Sequence, residues 1–220
     1  MQCDVFFVLI TTGCVSPSSN MALPLRLIAI LLVLVSTLFV IVAAGTTGWI
    51  VGTYGDDFKY HIGLFKLCAG SDDSAYCMNT LDMYNDDDSG VPSSCKSRLM
   101  ASQAFIVLSI LVLFPLLVLI IVRRFMSSGP AGMAASKIPV LVDVVIGVVV
   151  LFCLTISWGA IANMYKECIC DVLSNDSCGL NYSFALAIIA WLATGAATVF
   201  LFLSKSENAG YTDMSAPTLV

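Results

Sequence analysis

Four long apolar runs dominate the chain, and charge is pushed to their margins. Leu27 to Gly55 and Leu99 to Val122 carry no charge, Ile138 to Tyr165 carries only Asp143, and Gly179 to Ser204 carries none. About 20 apolar residues suffice to cross a hydrocarbon core of ~30 Å, so each window is long enough. In lipid every backbone N–H must find its partner within its own segment, which makes these runs α-helices. A closed barrel would show alternating segments of about 10 residues instead, and none occur. The pattern predicts spans at residues 23–51, 99–122, 138–162 and 183–204. Between them lie loops 52–98, 123–137 and 163–182, flanked by an N-terminal extension, 1–22, and a tail, 205–220.

The loops differ in character. Loop 123–137 holds Arg123, Arg124 and Lys137 with no acid, Arg26 precedes the first span and Lys205 follows the fourth. The positive-inside rule therefore places that loop and both termini in the cytoplasm and the other two loops outside. Residues 5–10 resemble a short signal h-region but lack a basic n-region, so the extension reads as either cytoplasmic or an unprocessed leader. Trp49 to Thr53, Lys59 to Leu67 and Ala75 to Met83 alternate apolar and polar residues between Gly and Asp clusters, a strand-and-turn pattern. A small antiparallel sheet resting on a helix bundle is expected: an all-α membrane protein with a small β element.

Composition sharpens this without changing it. Hydrophobic residues make up 59% of the 220 and charged ones 11%, against roughly 45–50% and about 25% in soluble domains. The net charge is −5, and eight acids fall between Asp56 and Asp88. With no basic arm, nucleic acid is not an expected partner. No nucleophile elbow, HExxH, phosphate-cradling glycine loop or intramembrane carboxylate pair is present; neither an enzyme nor a cofactor is expected.

Topology sorts the nine cysteines. Cys153 falls in a span, Cys3 and Cys14 in the extension, and Cys68, Cys77, Cys95, Cys168, Cys170 and Cys178 outside. An even count in an oxidising compartment suggests disulfides, with 15 possible pairings. Cys68 and Cys77 bracket a Gly-Ser-Asp-Asp turn, so a hairpin would hold them side by side. Zinc is the rival reading, but it wants tighter ligand spacing and further partners, and His61 suits a surface strand.

The motif Trp49, then Gly63-Leu64-Phe65-Lys66-Leu67-Cys68, then Cys77 resembles the first-loop signature of the claudin, peripheral-myelin-protein, epithelial-membrane-protein and channel γ-subunit superfamily. The stretch from Ser97 through Arg98 to Ala104 and the run Tyr182-Ser183-Phe184 are similar to that group's second- and fourth-helix starts. Phe65 stands where the superfamily usually has Trp, as in a divergent, invertebrate-type member. The resemblance implies a left-handed four-helix bundle under a five-stranded sheet, with four strands from the first loop and one from the second. It also strengthens the Cys68–Cys77 pair, while Cys95 and the three second-loop cysteines exceed the usual claudin pair.

Other features are weighed singly. Asp143 in a span is a functional candidate by default, although Lys137 or interfacial water is close enough to satisfy it. Gly48-x-x-x-Gly52 and Ala193-x-x-x-Ala197 have the spacing of close helix contacts, read as packing within the bundle. Asp86 to Asp88 reads as a solvated turn, lacking the ligand pattern of an EF-hand. Asn175 and Asn181 head N-x-S sequons, with Asn175 the glycosylation candidate. Thr218, Leu219 and Val220 fit a ligand that adds a strand to a PDZ scaffold. The expected function is a plasma-membrane protein of cell contacts that meets like proteins in cis and in trans. It would form a barrier or a cation-preferring pore, with Asp56, Asp57, Asp72 and Asp73 as selectivity candidates. The alternative is an auxiliary subunit of an ion channel or receptor.

Overall fold

The computed structural model describes residues 22–54, 58–71, 74–84, 92–125, 138–170 and 177–212. The helices are α1 (Ala22–Gly45), α2 (Ser93–Phe125), α3 (Val140–Met164) and α4 (Tyr182–Thr212). The four stretches long and apolar enough to cross a membrane run 21 to 31 residues, the third continuing beyond α3 to Cys170. The helices close a ring in which α1 packs on α4 and α2, and α3 packs on α2 and α4. Val33, Val40, Leu113, Val150 and Ala190 fill its interior, whereas Leu31, Leu111, Phe114, Phe152 and Val199 point outward and exposed. A soluble protein does not present so continuous an apolar surface; acyl chains cover it here.

Because lipid tails are as apolar as leucine, close packing and hydrogen bonds must hold such helices together. Small residues permit the approach: Ala193 and Ala197 are buried on α4, and Gly147 of α3 lies against Thr198. Ser36 of α1 donates to the Ala190 carbonyl of α4 at 2.9 Å and pairs with Thr194 at 2.6 Å. Ser102 of α2 and Ser157 of α3 each donate to the other's carbonyl, at 2.9 and 3.1 Å. Bonds of this kind average about 0.6 kcal/mol in a membrane, so they fix register more than they add stability.

At one end of the ring sits an antiparallel sheet of order β4-β3-β2-β1-β5. Four strands come from the first loop, β1 (Ile50–Tyr54), β2 (Phe58–Ile62), β3 (Lys66–Ser71) and β4 (Ser74–Asn79), and β5 (Ser177–Leu180) comes from the second. The alternation is visible in β2, where Tyr60 and Ile62 are buried while Lys59 and His61 face outward. The buried side chains join Trp49, Ile50, Leu64, Leu99 and Met164 in one core continuous with the bundle.

Two expectations need correction. The first helix stops at Gly45, not near residue 51, and Gly52 lies in β1. Gly48 and Gly52 are therefore not a helix-packing pair. A Cβ on Gly48 would collide with the Tyr182 ring, and one on Gly52 with the Tyr60 ring, so each small residue seats an aromatic. The second helix begins at Ser93, ahead of Leu99. Its 33 residues extend about 50 Å at 1.5 Å each, well beyond a ~30 Å hydrocarbon core. The first turns thus stand clear of the bilayer and bring Cys95 and Arg98 beside the outer loops.

Candidate functional site

The chemistry-bearing residues of the signature converge on the joint between sheet and bundle. Where α1 ends, its last carbonyls lose their helical donors. Thr46 supplies one, its N–H and hydroxyl both reaching the Val42 carbonyl at 3.1 and 2.8 Å. The indole of Trp49 supplies another, donating from Nε1 to the Ala43 carbonyl at 2.6 Å. Trp49 also bonds through its backbone to Ile62 of β2 and to Asn181 at the start of α4. One buried residue, through its indole and its backbone, thereby ties the end of a span to the sheet and to the start of another span.

The opposite helix terminus is served from the same place. Ser183 in the first turn of α4 donates its N–H to the Gly48 carbonyl at 2.9 Å, and its hydroxyl pairs with Thr46 at 2.7 Å. Phe184 stands edge-on to both Trp49 and Trp158, with ring centroids 6.2 and 6.4 Å apart, and Trp158 is edge-on to Trp191. Such pairs are worth roughly 0.5–1.5 kcal/mol beyond their burial, and the chain of rings carries the joint down into the bundle.

Gly63 occupies the tightest point. A Cβ there would lie 2.5 Å from the Thr46 carbonyl oxygen, 2.8 Å from Thr47 Cα and 2.9 Å from the Lys66 oxygen, all backbone atoms. Its N–H donates to Lys66 at 2.8 Å and its carbonyl accepts the Thr80 hydroxyl at 3.0 Å. Leu64 is buried, and its carbonyl accepts Nε2 of Gln103 from α2 at 2.5 Å. Phe65 is exposed at this surface.

Three disulfides staple the assembly. Cys68 and Cys77 face each other across β3 and β4 and are joined. Cys95 on the first turns of α2 is joined to Cys168, in the π-helical turn Tyr165–Cys170 that continues α3. Cys170 of that turn is joined to Cys178 on β5. Closing the 73-residue separation of the second pair restrains the unfolded chain by on the order of 4 kcal/mol in the chain-entropy account. Beside it, Arg98 pairs with Glu167 at 2.6 Å, an exposed bridge of small energetic weight. The two loops and two helix ends form one covalently braced block. Tyr84, in the 3-10 turn Asp82–Tyr84, reaches Met164 Sδ at 3.8 Å, and burial pushes its phenol up to about 12.

Asp143 lies at the other end of the bundle. Its partner is Arg123 from the last turns of α2, which also donates to the Ile138 carbonyl at 2.8 Å; Lys137 lies outside the described residues. Among the described residues no group of His, Cys, Asp and Glu is arranged to hold a metal, and His61 sits on β2 opposite Cys68. Asp56, Asp57, Asp72, Asp73, Asp86 to Asp88, Asn175, Thr218, Leu219, Val220 and the extension through residue 21 also lie outside the described residues. Sequence reading did not single out Thr46, Thr80, Gln103 and Glu167. Thr46, Thr80 and Gln103 each bring a donor to a backbone carbonyl that needs one, and Glu167 meets the Arg98 side chain.

The comparisons with known proteins fit this geometry. A family model described as Amastin, the amastin surface glycoprotein, matches residues 27–201, taking in all four spans and both outer loops. No curated protein matches the chain.

Proposed function

This chain belongs to the amastin surface glycoprotein family, and on that footing we propose that its outer sheet is a contact platform through which cell surfaces bearing the protein meet. The family is claudin-like and four-span, and the chain is a multi-pass membrane protein of the cell surface rather than an enzyme. The observation that carries the contact reading is the bracing of the sheet. The Cys170–Cys178 disulfide, the Trp49 clamp and the Gln103 bond fix the five-stranded sheet to the span ends, Cys95–Cys168 joins two of those ends, and Cys68–Cys77 crosslinks β3 to β4 within the sheet. A preorganised surface loses little freedom on docking. The sheet also ends in edge strands β4 and β5 and exposes Phe58, Phe65 and Tyr76, aromatic groups of the kind that anchor interfaces.

Both termini face the cytoplasm in this reading, since Arg26 and Arg123 lie at the end remote from the sheet. Like molecules associate side by side in one membrane and across to the next. Where they enclose a passage, the eight acids between Asp56 and Asp88 enrich cations near the wall. Dilution potentials across an epithelial sheet expressing the protein should then favour sodium over chloride. Neutralising Asp56, Asp57, Asp72 and Asp73 should reduce that preference, and an anion preference would refute it. Expression in non-adhering cells tests the contact reading itself: the protein should gather where two expressing cells touch. Uniform distribution together with a stoichiometric co-purifying channel would favour the auxiliary-subunit reading.

A further inference from the structure

At the end of the bundle opposite the sheet, the four spans leave a cavity of about 170 Å³, with residues contributed by every one of them. That is far more than the ~30 Å³ a water molecule occupies in the liquid. Its walls are apolar where Ile30 and Leu201 line it, and polar where Arg26, Arg123 and Asp143 do.

Two of these groups are half satisfied. The Asp143 side chain is only 2% exposed, and Oδ2 accepts the Arg123 guanidinium. Oδ1 is buried with no hydrogen-bond partner among the described residues. A buried carboxylate oxygen without a donor is costly, and the cost is removed by any ligand that brings an N–H or O–H to it. Arg26 lines the same cavity half-buried, and no described carboxylate pairs with it. The cavity therefore offers a site for an anion and a site for a cationic donor within one small volume.

We propose that the cavity seats one lipid headgroup of the phosphatidylethanolamine class, with the primary ammonium on Asp143 Oδ1 and the phosphodiester on Arg26. This chemistry answers both groups at once. A phosphocholine head brings a positive nitrogen with no N–H to give Oδ1, and a phosphoglycerol head can give it an O–H but no positive charge, the weaker donor to a carboxylate. A membrane lipid is the source, because the cavity has apolar walls and the neighbouring turns expose Leu27, Ile28 and Phe202 on the lipid-covered surface. Basic pockets between spans hold the phosphates of anionic lipids, and here the buried carboxylate adds the demand for a cationic donor. The assignment is independent of the contact reading.

The test is a lipid competition on the full chain in detergent micelles, read by native mass spectrometry. The probes are dioleoyl phosphatidylethanolamine, dioleoyl phosphatidylcholine and dioleoyl phosphatidylglycerol, with soluble glycerophosphoethanolamine as the free-headgroup arm. One lipid per chain should be retained, with the ethanolamine lipid preferred about tenfold over the choline lipid, the weight of one hydrogen bond to a charged group. Asp143→Asn should bring that ratio to about one. Arg26→Gln, at a partly exposed position, should weaken all three lipids while leaving the ratio intact. If Asp143→Asn does not fold, the wild-type ratio and Arg26→Gln decide the matter. Equal retention of ethanolamine and choline lipids, no loss in Arg26→Gln, or displacement by glycerophosphoethanolamine at equal concentration would each overturn the assignment.

Discussion

Replacing Gly63 with alanine probes the joint at its narrowest point. The added methyl would meet three backbone atoms at 2.5 to 2.9 Å, none of which can swing aside as a flexible side chain would. To open ordinary contact distances, the turn between β2 and β3 must move away from the end of α1. That motion breaks the Gly63 to Lys66 bond and the Thr80 to Gly63 bond. Two net hydrogen bonds at about 1 kcal/mol each and an overpacking strain of about 1–3 kcal/mol predict a loss of roughly 3–5 kcal/mol. Gly159→Ala is the control, since a Cβ there meets nothing within 4 Å and alanine favours a helix by about 1 kcal/mol over glycine. Thermal unfolding in detergent, followed by tryptophan fluorescence, should show Gly63→Ala well below wild type and Gly159→Ala at or above it. Equal midpoints for the two variants would show that the signature glycine does not hold the sheet to the bundle.

Three further outcomes are expected. Glycosidase treatment should give a single, partial mobility shift that Asn175→Gln removes and Asn181→Gln leaves unchanged, because the Ser183 hydroxyl of the Asn181 sequon is buried against Thr46; double occupancy would refute this. The tail should bind a PDZ domain through Thr218 and Val220, and Val220→Asp or a one-residue extension should abolish binding in a peptide titration. Tyr84, whose phenol lies near 12 rather than 10, contributes stability that is complete below pH ~10 and lost as pH rises through its folded value. Absorbance titration should therefore show a late phenol that Tyr84→Phe removes, and ionisation of every tyrosine before pH ~11 would contradict the burial.

The spans were legible because a charge-free window of bilayer length seldom has a role outside a membrane. Their ends were less so. Ile50 and Val51 continue the apolar run after Gly45, and hydropathy does not register the change from helix to strand that Trp49 and Gly48 enforce. The strand pattern of Trp49 to Thr53 marks it, and β1 rather than a small-residue helix seam is what forms there. The hairpin pair Cys68 and Cys77 was local and readable. The Cys95–Cys168 and Cys170–Cys178 pairs depend on α2 projecting beyond the membrane beside the end of α3, which the spacing of six cysteines along the chain does not convey. Asp143 drew attention to Lys137, its sequence neighbour. A connection as short as 123–137 makes α2 and α3 antiparallel, and that geometry already sets Arg123 against Asp143.

The central claim is that the braced outer sheet joins surfaces bearing this protein. Its most direct measurement uses purified protein reconstituted into two vesicle populations with different dyes, scored by two-colour coincidence. Coincidence should rise only when both populations carry the protein, and should fall when the disulfides are reduced before mixing. No coincidence with protein on both sides, or equal coincidence with protein on one side only, would contradict it.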